Sequence, residues 1–273
     1  MSKWAENEPT VKALIIIGSR ERKPSEVIEA ADAFSDWDFH IVSSDPEMFT
    51  TSLWTRRLSG CELKAYSVRT AIIGGVPKVA AVFSGAEADF VIIPARLFYR
   101  VRLGLALRIH KRDGWTKRRL QDIAEVIRPG WRFLKGADTW GRLYQRAILE
   151  VQDPRLSDNA ARQLAENFVC DYVWVMRKLS RGELRTAQRT LYQELFEVNL
   201  KLLHELKQRR NQRSFTKARR IERIATPEEL AAISIEAKLE ASELHAAVEK
   251  SATTCRALMK ELVGGSWHWP DLR

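Results

Sequence analysis

No stretch of the 273 residues approaches the roughly eighteen uninterrupted apolar residues that a membrane-crossing helix needs, and Met1-Ser2-Lys3-Trp4-Ala5-Glu6 lacks the apolar core of a secretory signal. A cytoplasmic protein without membrane contact is the expectation. Cysteine is scarce. Cys61, Cys170 and Cys255 are far apart, odd in number and in no Cys-x-x-Cys arrangement, which argues against a disulfide framework or structural zinc and suits a reducing compartment. Cys170 reads as a small buried residue. His110, His204, His245 and His268 have no partners at ligand spacing, and His40 reads as a core or edge residue. No internal repeat or low-complexity tract stands out, so a repeat array is not indicated.

What remains is an ordinary globular composition with 45% hydrophobic residues, enough for one generous core or two modest ones. The net charge is +10. Cations concentrate in two runs, Arg100, Arg102, Arg108, Lys111, Arg112, Lys117, Arg118 and Arg119, and later Lys207, Arg209, Arg210, Arg213, Lys217, Arg219, Arg220 and Arg223. Such runs can meet nucleic-acid phosphates. A solvated basic face is the plainer reading.

The first half alternates apolar runs with breakers, the pattern of an α/β region. Strands are expected at 12–17, 38–43, 66–73, 78–83 and 90–94, the later ones separated by Gly74-Gly75-Val76-Pro77 and Ser84-Gly85-Ala86 as in antiparallel neighbours. Val27, Ala30, Ala31 and Phe34 predict a helix over 24–34, and a second helix follows Pro46. Residues 115–155, with Gly130, Gly136, Gly141 and Pro154, read as a connection with short helices. The second half is helical. A helix is expected at 159–179; a capping box of Ser180 and Glu183 introduces the stripe Leu184, Ala187, Leu191, Leu195, Val198 and Leu202; and Thr226-Pro227-Glu228-Glu229 opens a helix running through Leu230, Ile233, Ala237, Ala241, Leu244 and Val248. The fold class is therefore α+β, a mixed sheet flanked by helices over 1–135 followed by a helical bundle over 136–273.

Three short segments carry chemistry. Val11-Lys12-Ala13-Leu14-Ile15-Ile16-Ile17 has the pattern of a buried strand and stops at Gly18-Ser19-Arg20. Glycine allows close backbone approach, free N–H groups and the Ser19 hydroxyl suit phosphate oxygens, and Arg20 can add a bidentate contact. Asp36 and Asp38 are two apart on a strand and so share a face. Side-by-side carboxylates repel unless a cation holds them, and a hard divalent ion such as magnesium takes such ligands. Asp89, opening Phe90-Val91-Ile92-Ile93-Pro94, supplies a third acid that a small sheet could aim at the same point.

Gly-Ser, then Asp-x-Asp, then an acid on a later strand resembles the signature of the DNA polymerase beta-like nucleotidyltransferase superfamily. Within it, the stretch from Ala5 to Gly18-Ser19-Arg20, Ser35-Asp36-Trp37-Asp38-Phe39-His40-Ile41-Val42 and Ala88-Asp89-Phe90-Val91-Ile92-Ile93-Pro94 resemble the aminoglycoside 6-adenylyltransferase (streptomycin adenylyltransferase) family. The likeness continues faintly through Arg181-Gly182-Glu183-Leu184, Arg219-Arg220-Ile221-Glu222-Arg223 and Trp269-Pro270. It implies a nucleotidyltransferase domain over 1–135 and an acceptor-binding helical domain over 136–273. Asp36, Asp38 and Asp89 would then be the catalytic and metal-binding carboxylates, the last a ligand or the base for the acceptor hydroxyl. Gly18, Ser19 and Arg20 would hold the triphosphate of ATP, with magnesium as cofactor, and an aminoglycoside-like small molecule would receive AMP while pyrophosphate leaves. Aminoglycosides are polycations, so the acceptor would need a locally acidic pocket despite the positive total charge. Glu166, Asp171, Glu194 and Glu197 are candidates for it, although helix charges are mostly solvated, and Phe168, Tyr172 and Trp174 read as packing. The alternatives are transfer to a protein or RNA acceptor, and a non-catalytic basic relative that binds nucleic acid.

Overall fold

The computed structural model describes residues 1–22, 31–71, 75–151, 155–214 and 218–272. The chain divides into two compact units, Met1–Pro154 and Arg155–Arg273.

In the first unit the apolar run β1 (Val11–Ile17) is buried at every position but Lys12. A strand with so little polar alternation needs cover on both faces, and it has it. β1 pairs antiparallel with β2 (Trp37–Ser43) on one side and β6 (Trp131–Lys135) on the other. β2 pairs in parallel with β5 (Ala86–Pro94), which is followed outward by β4 (Pro77–Phe83) and β3 (Leu63–Thr70) in antiparallel pairing. The mixed sheet has the order β3-β4-β5-β2-β1-β6.

Alternation along the strands sorts the side chains into two cores. Ala13, Ile15, Ile17, Val42 and Ile93 join Phe98 of α2 (Ala95–Ala106), Leu120 of α3 (Gly114–Ile127) and Trp140 and Tyr144 of α4 (Ala137–Glu150). Leu14, Ile16, Phe39, Ile41, Phe90 and Ile92 form the other cluster, with Trp4 of α1 (Ser2–Asn7) and with Phe49 and Trp54 of the 3-10 turns Pro46–Thr50 and Ser52–Arg57. Each fully buried aliphatic or aromatic side chain contributes roughly 2 kcal/mol of transfer free energy, so this double cover rather than strand propensity holds β1 and β2 at the centre.

Three expectations change here, and two others fall wholly or partly outside the described residues. The helix expected after Pro46 is two 3-10 turns. The helix expected over 24–34 falls mostly outside the described residues, and its last residues, 31–34, are not helical. Ile72 and Ile73 of the third expected strand also lie outside them. Residues 115–155 are no connection: α3, β6 and α4 complete the first unit, because Trp140, Leu143, Tyr144 and Ala147 turn one face of α4 into its core. The boundary expected at 135/136 therefore lies at 154/155.

The second unit is a helical bundle. α5 (Asp158–Ser180) shares one core with α6 (Leu184–Thr190), α7 (Phe196–Arg209) and α10 (Ala241–Val263), and the stripe Ala187, Leu191, Leu195, Val198 and Leu202 is buried as its spacing predicts. A π turn at Leu191–Leu195 joins α6 to α7. The short α8 (Ile221–Ile224) precedes α9 (Pro227–Ile233), whose capping box of Thr226 and Glu229 forms as expected.

The capping box at Ser180 and Glu183 does not form. Ser180 still belongs to α5 and its hydroxyl donates to the Met176 carbonyl, while Glu183 pairs with Lys178 at 2.7 Å. The helix opened by Thr226 stops at Ile233; Ile235, Ala237 and Leu239 then pack on the core from a non-helical segment, and α10 starts anew. Cys170 is exposed rather than buried. Among the described residues no helix is long and apolar enough to cross a membrane.

Candidate functional site

The sheet register brings the three acids together. On β2 and β5, Asp38 lies directly beside Asp89, and on β1 Ile17 lies beside Asp38, so Gly18 follows at the same edge. Asp38 shares its face with His40 and Val42, and Asp89 with Val91 and Ile93, so both carboxylates stand at the margin of the face covered by α2, α3 and α4. Asp36 reaches the cluster from the residue before β2. One carboxylate oxygen from each of Asp36, Asp38 and Asp89 lies within 4.8 Å of the others, and all three residues are half-buried.

This set fits a hard divalent cation. Two oxygens on opposite sides of one ion, each at about 2.1–2.4 Å, are themselves roughly 4.2–4.8 Å apart. The backbone leaves room for such an arrangement at Gly18, whose φ is +80° and where an added Cβ would stand 2.8 Å from Asp38 Oδ2. A residue with a side chain would push that oxygen aside.

Gly18–Glu21 is a 3-10 turn anchored to β6. Gly18 N–H donates to the Gly130 carbonyl at 3.2 Å, and Glu21 makes a forked ion pair with Arg132 at 2.9 Å. Gly130 must be glycine for this packing, because an added Cβ would meet the Glu21 carbonyl oxygen at 2.2 Å. Ser19 is buried. Arg20 turns toward the acid loop: its Nε donates to the Asp36 carbonyl at 3.0 Å, its guanidinium also donates to the Ser35 carbonyl, and it stacks 4.2 Å from the Trp37 ring centroid. Arg20 thereby staples the loop that carries Asp36.

Three participants were not singled out from the sequence. Lys78, at the start of β4, is ion-paired with Asp89. Counting back from the Ser84-Gly85 turn would have placed it on the acid face, since Ala80 lies opposite Asp89. Gly130 is the second, visible only once β6 is known. The third is Tyr144, whose hydroxyl lies 2.7 Å from His40 Nδ1 in the core beneath Asp38. Burial pushes the His40 pKa down to about 4 and the Tyr144 pKa well above 10, so both are neutral supports.

In the second unit, Glu166 accepts a hydrogen bond from Trp267 Nε1 at 2.7 Å, and Phe168 and Tyr172 pack against Trp269. Burial first, and then the charge of Glu194, raises the Asp171 pKa. Trp174 is exposed, with Lys178 Nζ 5.1 Å from its ring centroid.

No protein-family model and no curated protein matches the chain. Among solved structures, it is similar to an aminoglycoside 6-adenyltransferase from Bacillus subtilis at 12% identity and a TM-score of 0.43, covering 98% of this chain and 89% of that one. It is also similar to a nucleotidyltransferase-like protein from Exiguobacterium sibiricum 255-15 at 13% identity and a TM-score of 0.36, over 96% and 73% of the two chains. Likeness at that level carries no functional argument; the carboxylate geometry does.

Proposed function

We propose that this protein is a magnesium-dependent nucleotidyltransferase that passes AMP from ATP to a hydroxyl of an aminoglycoside-like, streptomycin-type small molecule and releases pyrophosphate. The observation that carries this reading is the convergence of Asp36 and Asp38, from one segment, with Asp89, from another, beside the Gly18-Ser19 turn. When bound with ATP, magnesium neutralises charge on the phosphoryl oxygens and aligns attacking and leaving oxygens.

Asp36 and Asp38 would hold the ion, with Asp89 as third ligand or as acceptor of the hydroxyl proton. Gly18, Ser19 and Arg20 would line the triphosphate side, although the Gly18 N–H is spent on the Gly130 carbonyl and Arg20 fixes the Asp36 loop, so neither is the free donor that the sequence suggests. In this reading the helical unit receives the acceptor. The motif resemblance supports the acceptor class.

The test is pyrophosphate release from ATP with magnesium across an aminoglycoside panel led by streptomycin. Release is expected to require a panel member and to fall by on the order of a hundredfold or more in Asp38→Asn or with a chelator. Release indifferent to Asp38 would refute the site.

One observation favours a second acceptor class for the same chemistry. From Arg96 to Arg119 the chain has nine Arg or Lys residues and one acid, Asp113, whose side chain caps α3. Tyr99 and Trp115 are exposed among them, an arrangement that suits single-stranded RNA. An RNA end that triggers release where the panel is silent would select this reading.

A further inference from the structure

Lys78 is the second residue of β4, and its ammonium is ion-paired with Asp89. Strand register brings the two within reach: Lys78 lies opposite Val91 and Ala80 opposite Asp89, so Lys78 and Asp89 are diagonal neighbours on one face. Asp89 lies in turn beside Asp38. A cation and two carboxylates thus form a row across β4, β5 and β2, at the point where the oxygen ligands gather. The side chains of Lys78 and Asp89 are 38% and 23% exposed. That is shielded enough for the attraction to matter and open enough for the ammonium to swing aside.

Resting on the reading of this site as a metal-dependent nucleotidyl-transfer centre, we propose that Lys78 is a positioning residue: an internal cation that holds Asp89 in the cluster and competes with the divalent ion for it. An ion at the site takes the Asp89 oxygen that faces Lys78 only at the expense of that pair. Lys78 therefore weakens metal binding while preventing Asp89 from being driven out of the cluster when the ion leaves. Removing the ammonium leaves more negative charge around the ion and a more strained empty site.

The experiment is a Mn2+ titration of the full chain without nucleotide, followed by electron paramagnetic resonance, on wild type, K78M, K78R, D89N, K78M/D89N and D38N, with thermal melting in chelator alongside. K78M is expected to bind Mn2+ about tenfold more tightly than wild type, K78R to stay within roughly twofold, and the gain to vanish when Asp89 is already Asn. In chelator K78M melts below wild type, and K78M/D89N regains the loss. An affinity of K78M equal to or weaker than wild type, in a protein whose Mn2+ binding depends on Asp38, overturns the role of Lys78 and leaves the metal site intact. Mn2+ binding indifferent to D38N overturns the site itself, and the role of Lys78 with it.

Discussion

Gly18→Ala probes the junction of turn and carboxylates, and the structure provides its own control. Gly18 has φ +80° and Gly85 φ +82°, so an alanine at either position takes on the same left-handed backbone penalty, roughly 1–2 kcal/mol. At Gly85 the added Cβ meets nothing within 4 Å, whereas at Gly18 it stands 2.8 Å from Asp38 Oδ2. The two variants should therefore lose similar stability in urea, with melting temperatures lowered by a few degrees. Only Gly18→Ala should also lose metal, because the cheapest relief of the contact rotates the Asp38 carboxylate away from Asp36 and Asp89. Displacing one of three ligands weakens Mn2+ binding on the order of tenfold to a hundredfold. The assay is the Mn2+ titration beside urea unfolding for both variants. Equal Mn2+ affinity in Gly18→Ala, Gly85→Ala and wild type would refute the argument that the missing Cβ cradles Asp38.

Two predictions concern parts away from the acids. Cys61 and Cys170 are exposed, while burial pushes the Cys255 thiol up to about 12, so two thiols per folded chain should react quickly with an alkylating reagent and the third only after denaturation, as mass spectrometry would show. Glu205, 2% exposed, is raised by burial but held below its ordinary 4.5 by bonds from Arg155, Leu156 N–H and Arg209. Its stabilisation is therefore complete above that value and lost as pH falls through the depressed one; Glu205→Gln should cost about 2 kcal/mol in urea unfolding at pH 7 and flatten the loss of stability below pH 4.5.

The elements that were legible in the sequence are those whose pattern answers to local cover. β1 is apolar throughout because both its faces are covered, and the stripe from Ala187 to Leu202 is helical because one core faces it. β6 was not legible, since five residues with mixed polarity become a strand only by pairing with β1, far back in the chain. The break after Ile233 was missed for the opposite reason. Ile235, Ala237 and Leu239 alternate with Glu236, Lys238 and Glu240, the period of an extended segment, yet Ala237 and Ala241 also fit a helical stripe continued from α9. Local periodicity was ambiguous there, and packing decided it. At the site, the motif pointed to the three acids, but the meeting of Asp38 with Asp89 depends on the parallel pairing of β2 and β5, and Asp36 joins from the residue before β2 rather than from a shared strand face. Lys78 was not legible, because its place depends on hairpin register rather than on any motif.

That register also bears on how a folded protein keeps such a site at all. Two carboxylates 4.8 Å apart repel by about 3 kcal/mol at an effective dielectric constant of 20, and this cluster holds three within that distance. The repulsion is not relieved by moving the backbone, since Asp38 and Asp89 lie on adjacent parallel strands whose neighbouring residues are buried in both cores. It must be met by cations or by loss of proximity. Lys78 meets part of it from β4, and Arg20 prevents the loop route of escape by binding the Ser35 and Asp36 carbonyls while stacking on Trp37. The neutral His40 and Tyr144 beneath add no charge of either sign. The sheet thus builds an electrostatic demand into the site, and a divalent ion held by the three carboxylates, as proposed above, would answer it.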